Sequence, residues 1–438
     1  MKERRVFITG VGAVSPLGMS VDEMWEGLVA GKCGIDRIKA FDPVGFTCKL
    51  AGEVGEFKIR NFVPKSHRKA TKLMCRDIEL SILAAKEAVE NSGLVTKAID
   101  PENVTVDPSR MAITFGAGVI CCDLEEISPS VAKSIKDGKF DLGKWGTDGL
   151  ESLTPLWLLK YLPNMLACHV GIIHDIRGPS NSLTCGEASG HLAIAEATEV
   201  IARGSADAAI AGGSDAKVNA IMMLRQCLVG RATVDRNDDA DGACRPFDAD
   251  ASGSVFGEGS GMLVLEEAEF AKKRGANILA EIVGVGESNN LNAKYESLEA
   301  GGVGTQIAIE TALEDAGIEA KELDLVIPHG TGIAGDDASE AEAIANALGD
   351  AVDSVAVWPT KGMLSNTGAA GGALDVVAAV MAMKTGKIGP GKNCDNKADG
   401  CKLNIVNEPV EKDVRYALCC SYTFGGQTAA VVIKKCES

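Results

Sequence analysis

The chain has 438 residues, 46% of them hydrophobic and 24% charged, and its formal net charge is −17. This length fits one large domain or two fused ones, since single cores stop growing near about 250–300 residues. The acidic balance argues against nucleic acid and anionic membranes as partners. No stretch supplies the roughly 20 apolar residues of a membrane span. The 14 cysteines show no disulfide or metal-site spacing, so we expect free thiols, no metal and a cytoplasmic location.

Short β-rich runs alternate with helical patterns along the whole chain. The apolar run at 6–14 predicts a buried strand, and its motif VFITGVG returns as AEIVGVG at 280–286. This echo indicates two similar halves of about 200 residues each. Strand–helix alternation predicts an α/β fold with largely buried sheets. In chain order, the further predictions are helix 76–92, strand 111–115, helix 188–203, strands 208–211, 262–265 and 278–285, helix 305–316, strand 323–327, helices 339–348 and 373–383, and strand 429–434.

The segment GPSNSLTCGEASGH at 178–191 carries the clearest signal for chemistry. It runs from an extended stretch through a turn of small residues into an alanine-rich helix. Glu187 therefore stands at a helix N-terminus, where backbone N–H groups and the helix dipole favour a negative charge. Enzymes use such a position for a thiolate with a lowered pKa, so this turn is a candidate reactive site.

Several long motifs, in the same order, resemble those of the β-ketoacyl–acyl-carrier-protein synthases. They are RVFITGVGAVSPLG at 5–18, GKCGIDRIKAFD at 31–42, CRPFD at 244–248 and GEGSGMLVLEE at 257–267. In that family the reactive segment reads Thr-Ala-Cys-Ala-Ser-Gly. Counting back from Gly190 places Glu187 at the position of the nucleophilic cysteine. The chain is thus identified as a member of the fatty acid and polyketide ketosynthase branch with glutamate in place of that cysteine.

The resemblance implies a thiolase-like fold, in which two duplicated α/β halves form five α-β-α-β-α layers. Residues 1–258 would form the N-terminal half, which carries the nucleophile-position segment. Residues 259–438 would form the C-terminal half, which carries His329, Asn366 and the Phe424 gate. This division is a prediction that follows from the family and not from composition.

In members of this family, two histidines assist the nucleophilic cysteine. The HGT motif at 329–331 matches the first, so the resemblance places His329 in the site. Lys361 matches the lysine that precedes the second histidine by five residues, but Asn366 stands in that histidine's place. The TFGG motif at 423–426 matches a gate, with Phe424 as its side chain. The implied supporting carboxylates are Asp337, Glu340 and Asp375, and the implied pantetheine contacts are Thr331 and Ile333, the latter where the family usually has threonine.

A glutamate changes what this site can do. A carboxylate is a weak nucleophile towards a thioester, and it repels a malonyl carboxylate by about 4 kcal/mol at about 4 Å in an effective dielectric of roughly 20. Asn366 donates a hydrogen bond but does not act as an acid or base near neutral pH. As a structural residue Glu187 would cap the helix start, and we also expect it to contact His329 and raise the pKa of that histidine. Cys185 is the rival nucleophile, although a buried structural thiol is the simpler interpretation.

The resemblance also implies partners. Members of the family dock acyl carrier protein on a basic cluster, which here is Lys65, Arg68 and Lys69, and its phosphopantetheine arm carries the substrate, with no other cofactor. Members are dimers through a sheet edge, and one branch pairs a cysteine-bearing synthase with a chain-length factor that lacks the cysteine. We expect a non-condensing, chain-length-factor-like subunit. The alternatives are an independent 3-oxoacyl synthase or acyltransferase that uses Cys185, and a thioesterase or decarboxylase that uses Glu187 and His329.

Overall fold

The computed structural model describes residues 4–292 and 298–436. Its longer elements match the predicted ones closely, and the strand 6–14 and the helix 76–92 have the predicted bounds. In chain order the strands are β1 Val6–Val14, β2 Ile35–Arg37, β3 Leu50–Gly52, β4 Met111–Ala117, β5 Ile135–Lys136, β6 Lys139–Phe140, β7 Ser180–Leu183, β8 Ala208–Ala216, β9 Glu258–Glu267, β10 Ala280–Asn289, β11 Leu325–Ile327, β12 Ala356–Val357, β13 Lys387–Ile388, β14 Val410–Glu411, β15 Tyr416–Tyr422 and β16 Gln427–Lys435.

The α-helices cover the faces of the sheet and also lie between its two halves. The helix predicted at 339–348 begins five residues earlier, and the short helices of the first half were not predicted. In chain order they are α1 Val21–Val29, α2 Arg76–Ser92, α3 Leu124–Lys133, α4 Leu142–Lys144, α5 Met165–His174, α6 Ser189–Ala202, α7 Ala220–Leu228, α8 Ala268–Lys273, α9 Val303–Ala316, α10 Ala334–Leu348, α11 Lys361–Leu364 and α12 Gly371–Thr385.

The main sheet has ten strands in the order β12-β11-β15-β16-β10-β1-β9-β8-β4-β7. The sheet divides into two halves of five strands with the same internal order. When the strands of each half are numbered along the chain, the third lies at the edge of the sheet and the first lies at its centre. In each half the second strand is parallel to both of its neighbours, whereas the fifth is antiparallel to both of its own. The predicted duplication is therefore confirmed by topology.

The repeated glycine motif has a packing function in both halves. A Cβ on Gly12 of β1 would lie 2.0 Å from the carbonyl oxygen of Ala84 in α2. A Cβ on Gly286 of β10 would lie 2.0 Å from the carbonyl oxygen of Ala308 in α9. Only glycine allows a helix to approach a strand so closely, which explains why the two halves share this motif.

The helices form three layers around the two half-sheets. α2 and α5 pack on the outer face of the first half, and α9 packs on β10 and β16 of the second, with α10 beside it. α6 and α12 contact each other and both half-sheets, so they form the middle layer. The molecule therefore has the five-layered α-β-α-β-α arrangement expected of a thiolase-like fold.

The middle layer contains a helical segment, Gly368–Thr385, whose length and mean hydropathy would suffice for a membrane span. Of its 18 residues, 89% are buried inside the molecule. A helix that is apolar on all sides is expected where helices are enclosed by two sheets. We predicted from the sequence that no segment supplies the apolar residues of a membrane span, and this segment was missed. A helix buried between two sheets has the same apolar composition as a helix that spans a membrane.

Candidate active site

The turn that carries Glu187 lies between β7 and α6. Gly186 has a left-handed backbone with φ of +54°, and a Cβ there would lie 2.5 Å from Thr423 Oγ1. The Ser189 hydroxyl accepts the Cys185 N–H at 2.7 Å and lies 3.3 Å from the Ala117 carbonyl oxygen, to which it donates. These contacts tie the turn to the end of β4 and bury the Glu187 side chain.

Two expectations for Glu187 are wrong. Ala188 precedes α6 and no side chain caps that helix, so the carboxylate is not its cap. Glu187 also forms no hydrogen bond or ion pair with His329 among the described residues. The pKa of His329 is lowered well below its usual value, first by burial and then by the charges of Lys361 and Arg231. The imidazole is therefore neutral near pH 7, because it is buried and cations lie nearby where we expected an anion.

His329 follows β11, and two carboxylates of α10 hold its loop. Glu340 accepts the backbone N–H groups of His329 and Gly330 at 2.6 and 2.8 Å. Asp337 accepts those of Thr331 and Gly332 at 2.8 and 3.0 Å. Burial raises the pKa of Glu340 to about 8 and that of Asp337 to about 6. The structure thus brings His329 together with both predicted supporting residues.

The His329 ring is oriented by packing. It lies edge-on against the Tyr422 ring, with 4.5 Å between the ring centres. Its Nδ1 atom is buried and has no hydrogen-bond partner within the parts of the chain that the structure describes. Such an unsatisfied polar atom is unusual in a protein interior and is more frequent at sites that receive a ligand.

Asn366 lies in a turn that follows a buried ion pair. Lys361 Nζ is 3.0 Å from Asp375 Oδ2, and Thr360 donates to the other oxygen of the same carboxylate at 2.6 Å. Asn366 Oδ1 accepts the Gly368 N–H at 3.1 Å, whereas its Nδ2 is buried and unpartnered among the described residues. An N–H donor is therefore free at the position where the resemblance places the second histidine.

Backbone strain marks the same turn. Ser365 has φ of +63° and ψ of 176°, which a non-glycine residue rarely adopts. Gly52 and Gly257 make room for it, because a Cβ on either would lie 2.2 or 2.0 Å from Ser365 Oγ. The strained backbone of Ser365 sets the orientation of the next residue, Asn366. The close packing of Gly52 and Gly257 around Ser365 compensates for the energy of this strain.

Phe424 is 38% exposed, and its ring packs on Arg231. The guanidinium carbon is 4.8 Å from the centre of the Phe424 ring, and Arg231 Nη2 is 2.8 Å from Asp336 Oδ2. The Arg231 side chain is only 9% exposed. Ile333 directly precedes α10 and lies three residues before Asp336, whereas Thr331 is fully buried with its hydroxyl towards Asp337. The pantetheine contacts of Thr331 and Ile333 therefore stay predictions.

Cys185 is placed differently from Glu187. Its side chain packs with Leu183, Ala188 and Leu192 in a small apolar cluster. Burial, and then the charge of Glu287, raise the pKa of its thiol. Among the described residues Cys185 forms no hydrogen bond with His329 or any other base, so it lacks the surroundings of an activated thiol.

A further buried ion pair lies at the end of β8. Lys217 follows β8 and its Nζ is 2.8 Å from Asp215 Oδ2, with both side chains almost fully buried. Sequence reasoning missed this pair, and it also missed Arg231, Asp336 and Tyr422. The adjacent charges at the end of an apolar strand were a signal for Lys217 and Asp215. Nothing in the local sequence distinguishes Arg231.

The predicted carrier-docking cluster lies on the surface. Lys65 and Lys69 are exposed and Arg68 is half-buried, in short turns before α2. In the described parts of the chain none of these three cations takes part in an ion pair. The structure describes no group of three or more histidine, cysteine or acidic side chains that would hold a metal, and the thiols of all 14 cysteines, which lie in the described ranges, are free.

Comparison with known proteins gives matches over nearly the whole chain. A family model described as "Beta-ketoacyl synthase, N-terminal domain" matches residues 3–271, and one described as "Beta-ketoacyl synthase, C-terminal domain" matches residues 279–395. The 3-oxoacyl-[acyl-carrier-protein] synthase 2 of Staphylococcus aureus (strain N315) is 34% identical over 438 residues, which is 100% of both chains.

Two solved structures show the same architecture. A beta-ketoacyl synthase from Burkholderia phymatum STM815 superposes with a TM-score of 0.86 and 26% identity, over 99% of this chain and 100% of that one. The ishigamide ketosynthase/chain length factor superposes with a TM-score of 0.84 and 28% identity, with the same coverage.

Proposed function

The chain belongs to the β-ketoacyl synthase family, and on this premise we propose that it acts as a non-condensing, chain-length-factor-like subunit beside a cysteine-bearing ketosynthase. The observation that carries this proposal is the buried turn of Glu187. It is built like a nucleophile turn, since it directly precedes a helix in the middle layer and its Glu187 side chain is buried. The resemblance assigns the nucleophile position to Glu187, and a carboxylate does not sustain acyl transfer from a thioester.

The remaining groups support binding without condensation. His329 is neutral near pH 7 and the unpartnered Asn366 Nδ2 is an N–H donor. Donors aimed into a dry pocket polarise a thioester carbonyl. However, condensation also needs a group that accepts the acyl chain covalently, and Glu187 repels the carboxylate of a malonyl group. The site would thus hold a carrier-bound chain without extending it.

The alternative enzymes receive less support. A synthase that uses Cys185 would need a thiolate, but this thiol packs against apolar side chains and its pKa is raised. A thioesterase or decarboxylase that uses Glu187 and His329 would need these two groups in contact, and they form no hydrogen bond or ion pair. We therefore retain the non-condensing role.

The partner in this proposal is a second chain of the same fold. β7 is the last strand of the sheet, and Ser180 and Asn181 on it are exposed. α5, which packs on β4 and β7, exposes Ile172 to 61%, and the turn before it exposes Leu156 to 61%. An open strand edge with apolar neighbours tends to be covered by another chain. We propose that a cytoplasmic ketosynthase covers it.

Acyl carrier protein and its phosphopantetheine arm are the proposed source of the bound chain. The S. aureus relative carries acyl carrier protein in its printed name. The cations Lys65, Arg68 and Lys69 lie unpaired on a chain with a net charge of −17, which favours an acidic partner at that place. Carrier docking therefore forms part of the proposal.

The test is intact-protein mass spectrometry after incubation with acyl-carrier protein. The wild-type chain should form no covalent adduct, and co-expression with a cysteine-bearing ketosynthase should yield a stable complex by sedimentation. Glu187→Cys should gain an acyl adduct at residue 187, whereas the matched Glu187→Ser control should not accumulate one. An adduct on Cys185 of the wild-type chain, or condensation by that chain alone, would contradict the proposal.

A further inference from the structure

A short exposed hairpin lies in the chain between β4 and β7. Its strands, β5 and β6, pair antiparallel with Ile135 opposite Phe140 and Lys136 opposite Lys139. The two residues at 137 and 138 that join the strands both have a left-handed backbone, with φ of +51° and +75°. This is the backbone of a type I′ turn, which favours the sequence Asp-Gly and fixes the register of the two strands.

Two buried serines hold the base of the hairpin. Ser134 directly precedes β5, and its hydroxyl donates to the Ser130 carbonyl oxygen of α3 at 2.7 Å. The Ser134 carbonyl oxygen accepts the Asp141 N–H at 2.8 Å, and the Ser130 hydroxyl donates to the Gly149 carbonyl oxygen at 2.6 Å. Both serine side chains are fully buried. The hairpin is therefore fixed relative to α3.

The register separates two kinds of side chain. Successive side chains of a strand point to opposite faces, so Ile135 and Phe140 share one face and Lys136 and Lys139 share the other. The Phe140 ring packs against Trp145, with 5.8 Å between the ring centres. The apolar face is therefore turned towards the segment that follows the hairpin, and the cationic face is turned away from it.

The placement of the two lysines does not serve the stability of the hairpin. Like charges directly opposite each other destabilise a strand pair. Lys133, Lys136 and Lys139 are exposed and form no ion pair among the described residues, whereas nearby Lys160 pairs with Glu126 at 3.0 Å. Three neighbouring cations without a counter-charge are a surface that an anionic partner would stabilise.

The charge of the whole chain limits what this partner is. The segment 133–140 has three lysines and one aspartate, whereas the net charge of the chain is −17. A nucleic acid or an anionic membrane extends beyond so small a surface and is repelled by the acidic remainder. A small acidic protein contacts only the basic region. The hairpin therefore fits an acidic protein.

Contacts link the hairpin to the predicted carrier-docking cluster. That cluster directly precedes the turn Ala70–Leu73, which packs against the segment Trp157–Tyr161. Lys160 of this segment pairs with Glu126 of α3, and α3 ends at Lys133, the first cation of the hairpin. The two groups of unpaired cations are thus joined by a short series of packed elements.

We propose that the cationic face of this hairpin is a second docking surface for acyl carrier protein, used together with the predicted carrier-docking cluster. The inference rests on the proposed function, which supplies the acidic carrier as a partner. Lys136 and Lys139 would pair with carboxylates of the carrier, which would relieve the repulsion between the two lysines. Binding rather than folding would then explain why they lie opposite each other.

The first test reverses the charge of the face. The probe is fluorescently labelled acyl carrier protein with its phosphopantetheine arm, and anisotropy measures its affinity for the full chain. Lys136→Glu combined with Lys139→Glu should weaken binding about tenfold at low salt and less at high salt, because surface charges are screened. The matched control is Lys272→Glu combined with Lys273→Glu, which changes the net charge equally and should have little effect. Equal affinities for the two double variants would overturn the proposal.

The second test separates docking from a structural role. Lys136→Glu alone replaces a repelling cross-strand pair with an attracting one, so urea unfolding should show no loss of stability. Carrier binding should nevertheless weaken about threefold, as expected for one lost surface ion pair. A Lys136→Glu variant that binds the carrier as tightly as wild type would overturn the proposal.

The remaining outcomes identify another occupant of the hairpin. If the double variant loses its complex with a cysteine-bearing ketosynthase in sedimentation but keeps its carrier affinity, the second subunit covers the hairpin and the proposal is overturned. It is also overturned if wild type binds vesicles of phosphatidylcholine and phosphatidylglycerol and the double variant, with unchanged carrier affinity, does not. A wild-type chain that binds no carrier would contradict the carrier part of the proposed function as well, whereas carrier binding that ignores the hairpin would contradict this inference alone.

Discussion

The guanidinium carbon of Arg231 lies 4.8 Å from the centre of the Phe424 ring, and the same side chain forms a buried ion pair with Asp336 at 2.8 Å. The residue that resembles the family's gate therefore rests on a cation that is itself anchored in α10. Because the pair is buried, removing one partner leaves the other charge without compensation.

We expect Arg231→Met to lower the free energy of unfolding by about 3 kcal/mol, because Asp336 stays buried without its cation. Asp336→Asn should have an effect of the same sign. The double variant should lose less than the sum of the two single losses, as coupled residues do. Urea unfolding measures all three. The exposed pair Lys86–Glu90 is the control, where Lys86→Met should cost about 0.5 kcal/mol or less. Additive losses at Arg231 and Asp336 would contradict the coupling.

His329 should remain neutral across the physiological pH range. Its pKa lies well below 6.5 in the folded chain, through burial and then the Lys361 charge. In ¹⁵N-histidine NMR, its ring signals should not shift between pH 8 and pH 6. His329→Asn identifies the signal. Lys361→Met removes a positive charge and should move the pKa upward. A titration midpoint at or above 6.5 in the wild-type chain would contradict the structure.

The same shift has a consequence for stability. The unfolded chain binds a proton at His329 below about pH 6.5, whereas the folded chain does not. The contribution of this histidine to stability is therefore present above pH 6.5 and is lost as the pH falls towards its folded-state pKa. The stability difference between wild type and His329→Asn should shift against wild type between pH 7 and pH 5, as urea unfolding at both pH values will show.

Cys185 should behave as a structural thiol. Burial raises its pKa, so little thiolate is present at neutral pH. We expect iodoacetamide to alkylate it more slowly than glutathione at pH 7.5, with the rate still rising at pH 9. Cys185→Ser should leave the mass spectrum after incubation with acyl-carrier protein unchanged. Fast labelling at neutral pH would restore Cys185 as a candidate nucleophile.

Charge reversal should test the docking surface. Changing Lys65, Arg68 and Lys69 to glutamate should weaken binding of acyl carrier protein at least tenfold at low salt, and less at high salt, because surface charges are screened. The control reverses Lys272 and Lys273, which are exposed on α8. Surface plasmon resonance or fluorescence anisotropy measures the affinity. If the triple variant binds acyl carrier protein as tightly as the control variant does, this surface is not the docking site.

The glycine motif provides a test that compares the two halves. Gly12→Ala and Gly286→Ala would each place a Cβ 2.0 Å from a helix carbonyl oxygen. Each should lower the free energy of unfolding by about 3 kcal/mol, because a strand and a helix must move apart. Gly55→Ala is the control, since no atom lies within 4 Å of its Cβ position. A loss at one position and none at the other would contradict the equivalence of the halves.

Much of the fold was predictable because it depends on local patterns. Helical spacing at 76–92 and the apolar run at 6–14 gave the observed bounds, and the glycine echo indicated the duplication. The motif around His329 placed Asp337 and Glu340 correctly beside its loop, since all three lie within twelve residues of one another. In such cases neighbours in sequence are neighbours in space.

The tertiary structure alone decided the electrostatics of the site. Arg231, from a loop of the first half, meets Asp336 and Phe424 of the second, and Lys217 lies between loops that are far apart in sequence. We expected Glu187 to contact His329 and raise its pKa, but burial, and then the charges of Lys361 and Arg231, lower that pKa instead. The pKa of a buried group depends on every charge within several ångströms, and chain order does not encode which charges those are. The sequence therefore determined the architecture and the candidate residues, whereas folding determined which of them interact.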